Sequence, residues 1–229
     1  VPWTIQPHQL LGVKFNNASK PYDGTEALPA DVVTNIFVSC DDSNTPEIRL
    51  TKGTDYEVTN AHYDSADAGE KKTIFFTVTL KNPNYTFSDG KITKSFSYRQ
   101  GENTSTNLEI TKAAAPTDIQ SGTLSIPNKH SDTYTFDFKT LQPTAPAGEY
   151  GDVTYELDQS FILKTGYSVL DPKYGGGELK LENGVLTLPL ESANGSTTGN
   201  IGTINVTVHS TNYKDFILTL DLDAYDKTR

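Results

Sequence analysis

The sequence predicts an all-β protein built from two tandem antiparallel β-sandwiches. The 229 residues include 12 Tyr and 10 Phe but no Met, a composition rich in strand formers and poor in helix formers. Short apolar runs alternate with polar residues at a period of two, which is typical of half-buried strands. Turn residues separate these runs, and no stretch has a convincing period of 3.6 residues.

Fifteen strands are predicted, seven in the first part of the chain and eight in the second. The first set covers residues 11–15, 32–40, 48–50, 56–63, 74–80, 92–98 and 108–111. The second set covers residues 122–126, 134–138, 153–157, 161–169, 178–181, 185–190, 201–208 and 216–222. Within the second set, Ile204, Val206 and Val208 are expected to share one face of a sheet.

Turn signals lie between the strands. Asn183-Gly184, set in ELKLENGVLTLPL, is the strongest hairpin signal, because both central residues of a type I′ turn need positive φ. Asn194-Gly195 and the glycine run 175–177 indicate looser loops.

A domain boundary is predicted in ITKAAAPTD, residues 110–118. This stretch ends a strand, passes through small residues and reaches Pro116, which fits neither a helix interior nor a central strand. We therefore expect domains at 1–112 and 113–229. Residues 1–9 are expected to link the first domain to a preceding module of a longer protein.

Both parts of the chain are acidic. The formal net charge is −10: 11 basic and 14 acidic residues give −3 up to Lys112, and 8 basic and 15 acidic residues give −7 beyond it. This charge would repel a phosphate backbone, so we expect no nucleic-acid partner. No run of about 18 apolar residues occurs, so we expect no membrane insertion.

A tight turn is predicted at Pro21, Tyr22, Asp23 and Gly24. Proline sets φ, the Asp side chain can bond the backbone ahead of it, and Gly accepts positive φ. The ring of Tyr22 is expected to cap the core with its hydroxyl near water. The alternative is an exposed recognition loop with Tyr22 at its tip.

Two Asn-Tyr pairs follow strongly alternating strands. They are Asn84-Tyr85 and Asn212-Tyr213. We expect both tyrosines to form tyrosine corners, in which the ring is packed and the hydroxyl bonds the backbone.

Four segments of the first part resemble the YDG domain, a repeat of large bacterial surface proteins and filamentous-haemagglutinin-like adhesins. They are KPYDGT (20–25), AGEKKTIFFTVTL (68–80), NPNYTF (82–87) and ITKA (110–113). The resemblance covers about residues 10–112. It leaves open whether the first domain is an Ig-type sandwich or a smaller β-grasp-like sheet.

The second part is similar to Ig-like repeats in secreted proteins of Gram-positive gut bacteria. The similarity runs from SIPNKHSDTYTFDF (125–138) to TGNIGTI (198–204) and NYKDFILTL (212–220). Together the two resemblances imply non-catalytic modules in tandem arrays, located outside the cell, either secreted or attached to the cell wall.

No catalytic or cofactor signature is recognisable. Cys40 has four possible imidazole partners, His8, His62, His130 and His209, but none lies in a signature for nucleophilic catalysis. Cys40 ends an apolar run and is expected to be a small buried hydrophobe. We predict no enzyme activity and no cofactor.

Three weaker possibilities remain open. The Asp221, Asp223 and Asp226 carboxylates could bind calcium, although a solvated strand edge is the alternative. Tyr167 and Tyr174 could form an aromatic patch for glycans. A Lys–Asn crosslink is conceivable, but the sequence selects no pair. The main prediction is a structural spacer contacting neighbouring domains, and the alternative is an adhesin that binds glycans or a host surface.

Overall fold

The protein is almost entirely β-structure. The computed structural model describes residues 6–10, 12–40, 48–174 and 177–227, and strands account for 49% against 5% for helix. The all-β class is therefore confirmed. The chain divides into two compact units, Val1–Lys112 (unit 1) and Ala113–Arg229 (unit 2). No helix in the described ranges is long and apolar enough to cross a membrane.

Unit 1 contains small sheets and a short helix. Its elements are β1 (His8–Leu10), β2 (Gly12–Lys14), β3 (Ala18–Pro21), α1 (Ala30–Thr34), β4 (Phe37–Cys40), β5 (Ile48–Arg49), β6 (Tyr56–Tyr63), β7 (Thr73–Leu80), β8 (Tyr85–Phe87), β9 (Thr93–Arg99) and β10 (Leu108–Thr111). Strands β2-β4-β5 and β6-β7-β9 form antiparallel sheets. Strands β1-β8 and β3-β10 form parallel pairs.

The core of unit 1 centres on β7. Alternate side chains of this strand are buried, as the period of two in TIFFTVTL predicts. They are Ile74, Phe76, Val78 and Leu80. The neighbouring strand β6 has an irregularity between Thr59 and His62, where Asn60 adopts a positive φ of 52°.

The prediction of one strand over residues 32–40 was wrong in its first half. Helix α1 begins at Ala30, and the strand begins only at Phe37. The Pro29 carbonyl accepts a hydrogen bond from the Val32 N–H at 3.1 Å. Val32 is fully buried on the helix, so tertiary packing outweighs the β preference of VV.

Unit 2 is a β-sandwich with longer strands. Its elements are β11 (Gly122–Pro127), β12 (Asp132–Asp137), β13 (Val153–Leu157), β14 (Ser168–Val169), β15 (Lys180–Glu182), β16 (Val185–Glu191), β17 (Gly199–Ser210) and β18 (Phe216–Tyr225), with 3₁₀ turns at Phe138–Leu141 and Pro172–Tyr174. One sheet has the order β11-β18-β17-β13. In the other, β16 pairs with β12 on one side and with β14 and β15 on the other.

The inner faces of the two sheets supply the core of unit 2. The side chains of β18 and of the second half of β17 alternate between buried and more exposed positions, while β16 has three consecutive buried residues, Leu188–Leu190. The buried set includes Leu186, Leu188, Leu190, Ile204, Val206, Val208, Phe216, Leu218, Leu220 and Leu222. The shared face predicted for Ile204, Val206 and Val208 is confirmed.

The sequence predicted the turn at residues 183–184 correctly, but it predicted too long a strand over residues 161–169. Asn183 and Gly184 join β15 to β16 with φ of 49° and 80°, which confirms the hairpin turn. The predicted strand over residues 161–169 shrinks to Ser168–Val169. Gly166 has a φ of +91° within this stretch, and Ile162 is 84% exposed, so the preceding residues form a loop.

The sequence predicted antiparallel sheets, but three of the strand pairs in the described residues are parallel. The pairs β1-β8, β3-β10 and β11-β18 run parallel. Each joins strands that are far apart in the chain, which leaves room for the crossover that a parallel pair requires.

Candidate functional site

The KPYDGT turn closes around the ammonium group of Lys20. Lys20 Nζ donates to Asp23 Oδ1 at 2.8 Å, to the Thr25 carbonyl at 2.8 Å and to Thr25 Oγ1 at 3.0 Å. Its side chain is 10% exposed. All three ammonium donors therefore have acceptors within the turn.

Asp23 also accepts hydrogen bonds from the backbone and the side chain of Thr25. Its Oδ1 accepts from the Thr25 N–H at 2.9 Å and from Thr25 Oγ1 at 2.8 Å, and Gly24 takes a φ of 78° between them. Burial raises the pKa of Asp23, but hydrogen bonds from Lys20 and Thr25 outweigh it and hold the pKa below its usual 3.8.

Tyr22 lies in the core rather than at the tip of the turn. Its side chain is buried, and its backbone N–H donates to the Thr111 carbonyl at 2.8 Å. Behind the turn, the Lys20 ammonium lies 5.8 Å from the ring centroid of Tyr63. Burial raises the pKa of Tyr63 to about 12, and its hydroxyl donates to the Glu109 carbonyl at 3.3 Å.

Segments 20–25, 68–80 and 110–113 meet in space. Strand β3 pairs with β10, placing Pro21 opposite Thr111. Gly69 and Ile110 exchange backbone hydrogen bonds of 2.8 and 3.0 Å.

The nearly buried Lys72 lies beside this junction, and its backbone N–H donates to the Leu108 carbonyl at 2.9 Å. Its ammonium lies 3.0 Å from Asp64 Oδ1 and donates to Ser65 Oγ at 2.5 Å. Although burial raises the pKa of Asp64, hydrogen bonds from Lys72 and the Thr73 backbone lower it overall.

Tyr213 has the geometry of a tyrosine corner. Its ring is buried, its hydroxyl donates to the Ala147 carbonyl at 2.5 Å and accepts from the Ala147 N–H at 2.7 Å. The preceding Asn212 is also buried, and its amide donates to the Glu149 carbonyl at 3.1 Å. The Tyr213 hydroxyl therefore links its own loop to residue 147, which is 66 positions away in the chain.

The Asn84-Tyr85 pair is less buried than the Asn212-Tyr213 pair. Tyr85 is half-buried in β8 and meets the His8 ring edge-on at 6.3 Å. Asn84 bonds locally, its N–H donating to Asn82 Oδ1 at 3.0 Å.

Tyr167 has no open face for a glycan. It is 6% exposed, and its hydroxyl donates to the Thr197 carbonyl at 2.6 Å. A Cβ added to Gly195 would lie 2.6 Å from the Tyr167 ring, so ring and loop are in direct contact. The side chain of Tyr174 and residues 175–176 lie outside the described part of the chain.

The acidic residues at the end of β18 do not converge. Asp221 Oδ1 accepts from Asn200 Nδ2 at 3.1 Å and from Thr203 Oγ1 at 2.7 Å. Asp223 is exposed on the same strand, and Asp226 follows it. Within the described ranges, no group of three or more His, Cys, Asp or Glu side chains could hold a metal ion.

His209 joins two carboxylates on the outer face of unit 2. Its Nδ1 lies 2.8 Å from Asp215 Oδ2, and its Nε2 lies 3.0 Å from Glu156 Oε2. Hydrogen bonds to Glu156 and Asp215 raise the pKa of His209 above 6.5. Sequence reasoning missed this cluster, because Glu156 is 53 positions from His209 and reaches it only through the pairing of β13 with β17.

Ser192 and His130 are also in contact, but they do not form a nucleophile–base pair. Ser192 Oγ bonds the backbone of His130 through both its carbonyl and its N–H, while the His130 ring lies 3.7 Å from Asp132. Cys40 ends β4, and its side chain is outside the described part of the structure.

A groove runs along strand β13. Three adjoining hollows of about 760, 490 and 420 Å³ share Tyr155 in their walls. Leu179, Lys180 and Leu181 also line the hollow of about 760 Å³, and Lys139 lines the other two. We call this space the β13 groove.

Two solved structures are remotely similar to this chain. No protein-family model and no curated protein sequence matches the chain. Domains 4 and 5 of the S-layer protein SbsC match 93% of this chain and 100% of theirs, with 13% identity and a TM-score of 0.22. A SusE-like, surface-located polysaccharide binding protein from the Bacteroides thetaiotaomicron heparin utilisation locus matches 83% of this chain and 42% of its own, with 14% identity and a TM-score of 0.19. TM-scores this low carry no argument about function.

Proposed function

We propose that this chain is a non-catalytic structural spacer of a secreted or cell-surface bacterial protein. It would hold an adjacent binding or catalytic region away from the cell, with neighbouring domains as its partners. The resemblance of four segments to the YDG domain and of the second part to bacterial Ig-like repeats supports this proposal. Two compact units with separate cores are also suited to it.

The observation that carries the proposal is the parallel pairing of the first and last strands of unit 2. Strands β11 and β18 pair from Gly122↔Leu220 to Pro127↔Tyr225. The chain enters at one end of this pair and leaves at the other, because the strands run in the same direction. Tension along the chain therefore loads the hydrogen bonds between them together, in shear.

Unit 1 has a related arrangement. Its last strand, β10, pairs parallel with the early strand β3 from Ala18↔Leu108 to Pro21↔Thr111. Such pairings resist extension more than a geometry in which tension breaks one hydrogen bond at a time.

Single-molecule pulling of the full chain tests the proposal. In a Cys40→Ser background, which removes the one native thiol, handles at Gln120→Cys and Lys227→Cys pull β11 and β18 in shear. The matched control uses Gln120→Cys with Lys214→Cys, which pulls the same two strands from one end. We expect a higher rupture force in shear, and equal forces would contradict the mechanical role.

The alternative is an adhesin or carbohydrate-binding module that contacts host or dietary glycans directly. The burial of Tyr167 leaves Tyr174 as the remaining aromatic candidate of that patch. A glycan array followed by titration would decide between the two functions. Saturable binding that is lost in Tyr174→Ala but kept in the control Tyr225→Ala would replace the spacer proposal.

A further inference from the structure

The hollow of about 760 Å³ in the β13 groove is lined by side chains from the outer face of its sheet. Glu156 of β13 pairs with Thr207 of β17, which pairs with Ile217 of β18. The next outer-face positions are Asp158 and Asn205, where the Asp158 N–H donates to the Asn205 carbonyl at 3.0 Å. All five residues line the hollow, so four polar side chains from two neighbouring strands lie together in its wall.

The two carboxylates of this wall are each oriented through one oxygen. Glu156 Oε2 lies 3.0 Å from His209 Nε2. Asp158 Oδ1 accepts from the Ser160 N–H at 2.9 Å and from Ser160 Oγ at 2.6 Å. The other two oxygens, Glu156 Oε1 and Asp158 Oδ2, have no hydrogen-bond partner among the described residues. Two oriented acceptors are therefore available to the hydroxyl groups of a ligand.

Amide and hydroxyl groups beside the carboxylates add donors. Asn205 Oδ1 accepts from Thr219 Oγ1 at 3.0 Å, which leaves the two Nδ2 donors of Asn205 for a ligand. The Thr207 hydroxyl and the Gln159 amide also lie in the wall, and neither has a hydrogen-bond partner in the described part of the chain. A ligand that donates and accepts at closely spaced positions can engage all of these groups.

Apolar side chains complete the lining of the hollow. They are Leu157, Leu179, Leu181 and Ile217. Ile217 is 53% exposed, and the three leucines are half-buried. Small-molecule sites combine apolar contacts of this kind with a few directed polar groups. The C–H face of a sugar ring can pack on these side chains while its hydroxyl groups reach the polar ones.

The charges around the hollow are mostly paired within the chain. Lys180 lines the hollow, and its ammonium group lies 3.1 Å from Glu182 Oε2. Glu156 lies beside the His209 ring. Asp158 is the one wall carboxylate without a basic partner among the described residues. A single exposed carboxylate repels an anion and holds a cation only weakly in water, but it accepts charge-assisted hydrogen bonds from hydroxyl groups.

We propose that this hollow binds a short neutral oligosaccharide. The sugar hydroxyls bond the free carboxylate oxygens, the Asn205 amide and the Thr207 hydroxyl, and the C–H faces pack on Ile217 and the leucines. Tyr167 does not line this hollow. The site goes beyond the spacer role and does not depend on it.

Trisaccharides test this on the full chain by isothermal titration calorimetry. The neutral probes are maltotriose, cellotriose, mannotriose and triacetylchitotriose, and the charged controls are trigalacturonic acid and the cationic chitotriose. We expect saturable binding of at least one neutral probe with a Kd of about 1 mM or tighter, and at least about tenfold weaker binding of the acid. No binding by any neutral probe, or tighter binding by either charged control, would overturn the proposal.

A matched pair of threonine variants locates the site. Thr207→Val removes the hydroxyl but keeps the branched shape that suits a strand, and it should weaken binding about threefold to tenfold, as the loss of one hydrogen bond does. The control Thr123→Val makes the same change at an exposed position of β11, at the opposite edge of the sheet. It should leave the Kd unchanged, and equal effects of the two variants would refute this site.

A second pair tests the role of the Asp158 charge. Asp158→Asn keeps an oxygen that can accept from Ser160 but removes the negative charge, so the disadvantage of trigalacturonic acid should shrink. Asp223→Asn changes the net charge equally at an exposed position of β18 and should preserve that disadvantage. If both variants behave alike, net charge rather than this hollow governs the selection.

Amide chemical shifts identify the occupied surface directly. The bound trisaccharide should shift the amide signals of Asp158, Gln159, Thr207 and Ile217 with the same saturation curve as the calorimetry. Binding that Tyr174→Ala abolishes and Thr207→Val leaves intact would assign the glycan to another surface, and the inference would fail. The pulling experiment tests the spacer role separately, so either proposal can fail without the other.

Discussion

At the scale of single residues, nearly buried lysines stabilise polar loops of unit 1. Lys20 and Lys72 both place their ammonium groups against aspartates, at 2.8 and 3.0 Å from Asp23 and Asp64. Neither contacts an asparagine in these hydrogen bonds, so neither pairing supports a Lys–Asn crosslink. An intact mass lower than calculated by one ammonia would still reveal such a bond.

Replacing Lys20 should destabilise unit 1. Lys20→Met removes three hydrogen bonds and leaves Asp23 without its cation, so we expect a loss of about 1–3 kcal/mol in the free energy of unfolding. Urea denaturation followed by circular dichroism measures this. The control Lys91→Met changes a side chain that is 74% exposed and should remain within about 0.5 kcal/mol. Equal effects would contradict the structural role of the turn.

The hydroxyl group of Tyr213 should contribute to the stability of unit 2 through its hydrogen bonds. Tyr213→Phe leaves both backbone groups of Ala147 without this partner, which should cost about 1–3 kcal/mol of unfolding free energy. Tyr225→Phe changes a half-exposed tyrosine of the same unit and is the matched control. Chemical denaturation of both variants checks the difference, and a neutral Tyr213→Phe would argue against a tyrosine corner.

The His209 cluster should make unit 2 more stable at acidic than at basic pH. Its folded-state pKa is raised above 6.5 by Glu156 and Asp215. The contribution is therefore fully present below the unfolded pKa of about 6.5 and is lost as pH rises through the folded value. The stability difference between the native chain and His209→Gln, measured from pH 5 to 9, should shrink as pH rises. Asp215→Asn should reduce this dependence, and a difference that does not change with pH would disprove it.

At the scale of elements, close contacts between loops set the shape of unit 2. The loop before β14 brings Tyr167 against Gly195, in a loop that follows β16. The residues before Ser168 form a loop rather than a strand, and Gly166, next to Tyr167, has a φ of +91°. The ring occupies the space between two loops rather than an alternating position in a sheet.

A methyl group at Gly195 should disrupt this contact. In Gly195→Ala the Cβ would lie 2.6 Å from the ring of Tyr167, so we expect a loss of about 1–3 kcal/mol. Gly177→Ala is the matched control, since nothing lies within 4 Å of the added atom. A double-mutant cycle with Tyr167→Leu should recover part of the loss. Additive effects in that cycle would show that the clash is not the cause.

At the scale of the whole molecule, each unit has its own core. Residues 1–112 and 113–229, expressed separately, should each give a cooperative thermal transition by calorimetry. The unfolding enthalpies of the two separate halves should add up to the unfolding enthalpy of the full chain. A half that remains unfolded alone would show that its stability depends on the other half.

Patterns within a few residues predicted much of the fold. The alternation in TIFFTVTL, in Ile204 to Val208 and in Phe216 to Leu222 determined the strands β7, β17 and β18. Asn183-Gly184 determined its hairpin. These features depend on side-chain period and on allowed φ, which are local properties of the chain.

Only the tertiary structure decided the features that join distant residues. The parallel partner of β11, the burial of Tyr167 and the meeting of Glu156 with His209 each depend on segments 28 or more positions apart. Helix α1 also escaped prediction, because the burial of Val32 outweighed its local strand preference. Packing energies of this kind arise between elements, so a period or a propensity read along the chain does not contain them.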